Sequence, residues 1–183
     1  MRIAAVVLAA GASTRFGSPK QLARLGDRTM LESVIEVARA ASLGPIIAVV
    51  APRIAVPADV VPVVNTDPAA GLSRSLGMGI TALSPDVDAA VILLGDQPTL
   101  SVDTVRAVMG AASSDRLVLA ARADGHLGPP VLLMRDAFRL AEEATGDEGL
   151  RSILADHPEL VTPVEVGEHA PDVDTPADLD VLA

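Results

Sequence analysis

The sequence predicts a single α/β domain over residues 1–183, with a doubly wound, mainly parallel sheet and helices on both faces. Three observations predict it. Short apolar runs alternate with stretches of helical periodicity, the pattern of successive βαβ units. The runs are continuously apolar rather than alternating, as strands covered on both faces must be. The length of 183 residues suits one domain with its own core, and no repeat, linker or low-complexity tract divides it.

The first run, Ile3–Leu8, is closed by small residues and Gly11. Thr29-Met-Leu-Glu32 is a capping-box pattern, in which hydroxyl and carboxylate each satisfy a backbone N–H of the first turn. It opens a helix to about Ser42, with Leu31, Val34, Ile35 and Ala38 on one face. Pro45 precedes a second strand, Ile46–Val50. Val60–Val64 is a third, assigned to an edge because Pro62 cannot donate to a neighbour. Residues from Leu72 to about Leu83 read as helix despite Gly77 and Gly79, and Ala89–Leu94 is the fourth strand, broken at Gly95-Asp96-Gln97-Pro98. Ser101 caps a helix to about Ala112, and Leu117–Ala121 and Val131–Met134 are further strands. A helix from about Asp136 to Ala144, a short helix after Gly146 and a strand over Pro163–Val166 follow. Thr175-Pro176 begins the last helix, with proline at its first position.

Half the residues are hydrophobic, yet only Phe16 and Phe138 are aromatic, so the core must be aliphatic. Without Trp or Tyr there is no platform for stacking bases. Fourteen basic residues against 24 acidic ones give a net charge of −10, the wrong sign for a polyanion. Nucleic acid is therefore not an expected partner. The absence of cysteine excludes disulfides, thiolate-bound zinc and a thiol nucleophile. Residues 1–12 have the dimensions of a secretory signal, but their positive region is one Arg and their apolar run is short and β-branched. No apolar stretch approaches the ~18 residues of a membrane span. A cytoplasmic protein with no membrane association is expected. One oddity stands out: Lys20 is the sole lysine, and every other cation is Arg.

In doubly wound sheets ligands bind beyond the carboxyl ends of the strands. The loop after the first strand reads Leu8-Ala-Ala-Gly11-Ala-Ser-Thr-Arg15-Phe-Gly17-Ser-Pro-Lys20. Small residues let backbone N–H groups approach phosphate oxygens, and Arg15 and Lys20 add the cations that hold a polyphosphate. The spacing excludes both a dinucleotide fingerprint and a P-loop, since Gly11 and Gly17 stand apart and Ser18-Pro19 follow the second glycine. Asp96, one step beyond the fourth strand, can anchor Mg²⁺, which takes one or two carboxylates plus phosphates and water. The same Gly-Asp-Gln-Pro stretch is also good turn chemistry. Gly71-Leu-Ser73-Arg-Ser75 misses the nucleophile elbow, and no serine hydrolase is expected.

These motifs resemble the MobA-like nucleotidyltransferases, and within that family look most like the molybdenum cofactor cytidylyltransferases. The first loop carries the family's Leu-Ala-Ala-Gly-x-Ser-x-Arg-Phe-Gly-x-Pro-Lys, and Gly95-Asp-Gln-Pro98 matches its metal-binding segment. The resemblance covers nearly the whole chain in order. It implies a Rossmann-like nucleotidyltransferase fold and Mg²⁺-dependent transfer of CMP from CTP to a phosphorylated acceptor such as molybdopterin, releasing pyrophosphate. By the same likeness Leu8, Ala10 and Gly11 meet the nucleotide, Arg15 and Lys20 the triphosphate, and Asp96 the metal. Cytosine is implied because guanine-selecting members carry a second Gly where this chain has Ala10.

Asn65-Thr-Asp67 through Gly71 and Ser75 resembles the stretch that holds base and ribose, although the family often has an aromatic at Pro68. Asp172-Val-Asp174-Thr-Pro-Ala-Asp178-Leu resembles the closing motif, with Asp174 a candidate second metal ligand. Asp172 and Asp178 are read there as carboxylates at a helix N-terminus. Gly146-Asp147-Glu148-Gly149-Leu-Arg151 fits a segment bordering the acceptor site, and Arg151 could meet an anionic substrate. Pro129 departs from the family's Gly-His-Pro-Val, removing an imidazole and a backbone N–H on the acceptor side. His126, His157 and His169 have no metal-ligand spacing and read as surface residues. Two other classes stay open: an oxidoreductase of the same superfamily, and a nucleotide- or cofactor-binding accessory protein without turnover.

Overall fold

The computed structural model describes residues 1–113, 116–144, 146 and 149–182. Its strands, in chain order, are β1 (Ile3–Ala9), the short pair β2 (Arg24–Leu25) and β3 (Arg28–Thr29), β4 (Ile46–Val50), β5 (Val61–Val64), β6 (Ala89–Leu94), β7 (Val118–Ala123), β8 (His126–Met134) and β9 (Val161–Glu165). Seven of them form one sheet in the order β5-β4-β1-β6-β8-β7-β9. All its pairings are parallel except those of β8, which runs antiparallel to both β6 and β7. The predicted fold class, doubly wound and mainly parallel, holds.

The reversal at β8 has a local cause. Asp124 and Gly125 join β7 to β8 with φ of 50° and 78°, the two positive values of a hairpin turn whose twist matches its strands. A two-residue turn forces the next strand back alongside, so β8 begins at His126 rather than at the Val131 expected from the apolar run. Pro62 sits in β5 at one edge and Pro163 in β9 at the other, where a missing N–H costs no pairing. The β2/β3 hairpin was not expected, because two-residue strands carry no readable periodicity.

Helices α1 (Met30–Ala40) and α3 (Val102–Gly110) cover one face of the sheet; α2 (Leu72–Thr81), α4 (Phe138–Glu143) and α5 (Leu150–Asp156) cover the other. The period of two along β1 divides its side chains between them. Ala5, Val7 and Ala9 pack with Leu31, Val34 and Ile35, while Ala4, Val6 and Leu8 pack with Leu76, Ile80 and Leu140. The capping box forms as read: Glu32 N–H donates to Thr29 Oγ1 (3.2 Å) and Thr29 N–H to Glu32 Oε2 (2.7 Å). Ser101 Oγ accepts from Thr104 N–H at 3.0 Å and caps α3. The last helix, α6 (Pro176–Leu182), starts at its proline.

No helix among the described residues is long and apolar enough to cross a membrane. With β4 on one side of β1 and β6 on the other, the strand order reverses at β1. The crevice of a doubly wound sheet opens at such a point, beyond the carboxyl ends of β1 and β6.

Candidate active site

The chain leaves β1 at Ala9 and Ala10 and turns sharply at Ser13 (φ 53°), whose carbonyl accepts from Phe16 and Gly17 N–H at 3.0 and 3.2 Å. Gly17, at φ 77°, sits in the left-handed region that glycine adopts without strain. Two side chains staple this loop. Ser13 Oγ accepts from Lys20 N–H (3.1 Å), and the buried Gln21 donates from Nε2 to the Gly11 carbonyl (3.0 Å). Among the described residues none accepts from the backbone N–H groups of Gly11, Ala12 and Thr14, three residues that line the crevice. On the β6 side, a Cβ on Gly95 would lie 2.7 Å from Ala9 Cβ, so only glycine lets β1 and β6 approach this closely above the crevice.

Lys20 ends the loop and reaches across the crevice. Its Nζ donates to Asp96 Oδ2 (2.8 Å), Asp174 Oδ1 (2.9 Å) and the Val173 carbonyl (3.0 Å). Arg15, on the solvent side, pairs with the other Asp174 oxygen at 2.8 Å. Burial alone would push the Lys20 ammonium down, but the bonds and charges of Asp96 and Asp174 outweigh it and hold Lys20 above its ordinary value. The Lys20 hydrogen bond, with Lys20 and Arg15 as nearby charges, holds Asp174 below the usual carboxylate range.

The C-terminal segment that supplies Asp174 is pinned to the turn after β6. Val173 N–H donates to the Asp96 carbonyl (2.9 Å), and Gln97 Nε2 donates to Asp172 Oδ1 (2.9 Å). Burial, then the charge of Asp96, pushes the Asp172 carboxyl up. Asp172 is exposed at the crevice wall. The Gln97 Oε1 atom is buried and has no hydrogen-bond partner among the described residues. Asp178 plays the helix-terminus part expected of it, accepting from Asp174 and Thr175 N–H at 3.0 and 2.8 Å. Asp172 instead belongs to the crevice wall, a correction to its reading as a helix-terminus carboxylate.

The crevice encloses about 690 Å³, within the usual range of small-molecule sites. Of the residues singled out in the sequence, Leu8, Ala10, Gly11, Arg15, Lys20, Asp96, Arg151 and Asp174 line it together. Asn65, Gly71 and Ser75 do not. Asn65 is fully buried, donating from Nδ2 to Ser75 Oγ (3.0 Å) and accepting at Oδ1 from Asp67 N–H (2.9 Å) and Arg74 Nε (3.3 Å). Its amide fixes the passage from β5 into α2, and Gly71, at φ 94°, makes the turn that begins the helix. Asp147 and Glu148 lie outside the described residues.

His169, read from the sequence as a surface residue, lines the crevice instead. Its ring lies 3.3 Å from where a Cβ on Gly128 would stand, with Nδ1 3.3 Å from the Pro129 carbonyl and Nε2 3.0 Å from that of His126. An isolated histidine in a loop carries no local signal; only the fold brings it to the wall that Gly128 and Pro129 line. Leu72, Leu127, Leu150 and Leu154 make that end of the crevice apolar.

Asp96 and Asp174 present hard oxygen donors of the kind Mg²⁺ and Mn²⁺ take. No group of three His, Cys, Asp or Glu among the described residues could hold a metal ion alone. Two carboxylates completed by substrate phosphates and water fit the ordinary habit of Mg²⁺.

The profile of the MobA-like NTP transferase domain matches residues 5–161. The structure of Rv0371c from Mycobacterium tuberculosis H37Rv is similar over 100% of this chain and 97% of its own, at 28% identity and a TM-score of 0.87. A second structure of that protein is a complex with manganese, with a TM-score of 0.84. Purine catabolism protein PucB of Bacillus subtilis (strain 168) is 32% identical over 117 residues, 61% of this chain and 56% of PucB. The bifunctional protein GlmU of Cupriavidus metallidurans is 31% identical over 160 residues, 81% of this chain and 35% of GlmU. The chain thus spans just over half of the first of these relatives and about a third of the second.

Proposed function

This chain belongs to the MobA-like NTP transferase family, and on that premise we propose that it catalyses Mg²⁺-dependent nucleotidyl transfer, moving CMP from CTP to a phosphorylated acceptor such as molybdopterin. The observation that carries the proposal is the convergence of Lys20, Arg15, Asp96 and Asp174 beneath a loop with free backbone N–H groups. A phosphate oxygen of the acceptor attacks the α-phosphorus of CTP. The bond to the bridging oxygen breaks, and pyrophosphate leaves with its electron pair. An ionised phosphate needs no general base, in keeping with a chain that has no cysteine and only three histidines.

Asp96 and Asp174 would hold Mg²⁺, which when bound would supply neutralisation of phosphate charge. Leu8, Ala10 and Gly11 shape the wall for the nucleoside, and Ala10 favours cytosine on the family pattern. The Gly11, Ala12 and Thr14 N–H groups, with Lys20 and Arg15, stabilise the charge that builds on departing pyrophosphate. Asn65, Gly71 and Ser75 act one step removed, holding the loop and α2 in place. Arg151 and His169 border the apolar end, where the acceptor sits. The whole chain acts as one nucleotidyltransferase domain in the cytoplasm, with neither nucleic acid nor a membrane as partner.

A thermal-shift panel of nucleoside triphosphates with and without Mg²⁺ tests this. CTP with Mg²⁺ at 100 times its dissociation constant should stabilise the protein by about 2.7 kcal/mol, and GTP by less. Asp96→Ala should keep the fold and abolish Mg²⁺-dependent pyrophosphate release with molybdopterin. A panel in which no triphosphate shifts the transition overturns the reading.

A further inference from the structure

Lys20 is already fully engaged. An ammonium carries three donors and no acceptor, and here the donors go to Asp96 Oδ2, Asp174 Oδ1 and the Val173 carbonyl. The side chain is only 12% exposed, so it is a fixed occupant of the crevice floor and not a tethered surface charge. Arg15 takes the remaining Asp174 oxygen. The two carboxylates proposed to hold a divalent cation are thus neutralised by the cations proposed to hold the triphosphate. A metal that takes both Asp96 and Asp174 must displace the ammonium between them, because like charges at that spacing repel. Equally, Lys20 can donate a full hydrogen bond to a phosphate only when one of its three present oxygens is given up.

We infer that Lys20 is a placeholder cation: it occupies a cradle made by Asp96, Asp174 and the Val173 carbonyl, and it is exchanged for a divalent ion as its ammonium turns to the nucleotide's phosphates. The inference rests on the transferase reading for the identity of that nucleotide. The exchange couples the two ligands. The metal frees Lys20 for phosphate, and phosphate offers Lys20 a partner that lets the carboxylates go. By linkage each ligand tightens the other by the same factor. The Val173 carbonyl, a backbone group that no substitution removes, keeps the cradle a three-oxygen site after the ammonium leaves.

The test is Mn²⁺ binding to the full-length, nucleotide-free protein, followed by electron paramagnetic resonance of free Mn²⁺. Lys20→Met should bind Mn²⁺ at least about fivefold more tightly than the wild type, the lower end of ordinary coupling between sites. Removing the lysine leaves Asp96 without its cation and Asp174 with Arg15 alone, so Lys20→Gln serves as a milder variant. Its melting temperature should rise more with added Mn²⁺ than that of the wild type. Unchanged or weaker Mn²⁺ binding in both variants overturns the placeholder role. That result alongside intact CTP binding by the wild type leaves the transferase reading standing. Tighter Mn²⁺ binding with no response to any nucleotide upholds Lys20 as the occupant of the cation cradle and overturns both its turn to phosphate and the transferase reading.

Discussion

Two glycines in one helix should respond with opposite sign to the same substitution. Gly77 and Gly79 both lie within α2, so replacing either with Ala gains about 1 kcal/mol of helix propensity. They differ in what a Cβ would meet. At Gly77 the nearest atom is the Ala141 carbonyl oxygen at 3.6 Å, an ordinary contact. At Gly79 the new methyl would stand 2.4 Å from Val6 Cγ1 and 3.1 Å from Val49 Cγ2. Neither valine can easily yield: both are fully buried in central strands, and β-branching stiffens their side chains. Overpacking of this kind costs typically 1–3 kcal/mol, and the closeness of the first contact points to the upper end. Gly77→Ala should therefore raise stability by about 1 kcal/mol, and Gly79→Ala should lower it by about 2 kcal/mol. In a domain of this size that is a rise of about 2–4 °C against a fall of about 4–8 °C. Thermal unfolding by circular dichroism, with a urea titration to check that the slope is unchanged, reads both. If Gly79→Ala proves as stabilising as Gly77→Ala, α2 does not sit on β1 as closely as described, and the reasoning fails.

Two further outcomes follow from the charges in the crevice. Lys20→Arg keeps the charge, but a planar guanidinium fork cannot replace the compact ammonium, either among the Asp96, Asp174 and Val173 oxygens or in its turn to the phosphates. Turnover should fall by about 10²–10³-fold, the scale of losing one preorganised charge-stabilising group; full kcat in a correctly folded variant contradicts this. Burial, with the charge of Asp96, raises the Asp172 carboxyl in the folded state. The fold therefore binds that proton more tightly than the unfolded chain, and ionised Asp172 weakens the fold above the carboxylate range but not below it. Asp172→Asn still accepts from Gln97, so it should raise the melting temperature near neutral pH, with the gain fading as pH falls through that range. A gain that grows on acidification would refute the assignment.

How much of this was legible beforehand depended on the range of the force involved. The apolar runs of β1, β4 and β6, the Thr29–Glu32 capping box and the edge position of Pro62 are local or nearest-neighbour features, and the chain spells them out. The Asp124-Gly125 dipeptide is also a hairpin signal, but the polar and proline residues before Val131 mask the start of the strand that follows it. Asn65 shows the opposite case. Its amide has the donors and acceptors to read a base, but burial under α2 commits them to Ser75, Asp67 and Arg74.

By itself the sequence determined the layered sheet, the loop after β1 and the chemical kinds of group at the sheet's edge, because backbone geometry and apolar periodicity act over a few residues. Only the tertiary structure decided that Lys20 would meet Asp96 and Asp174 across separations of 76 and 154 residues, and that His169 would face Pro129. Those meetings depend on which way each crossover returns and how closely Gly79 and Gly95 let helix and strand approach β1. A buried charge finds its partner through the fold as a whole, and no window of sequence contains that information.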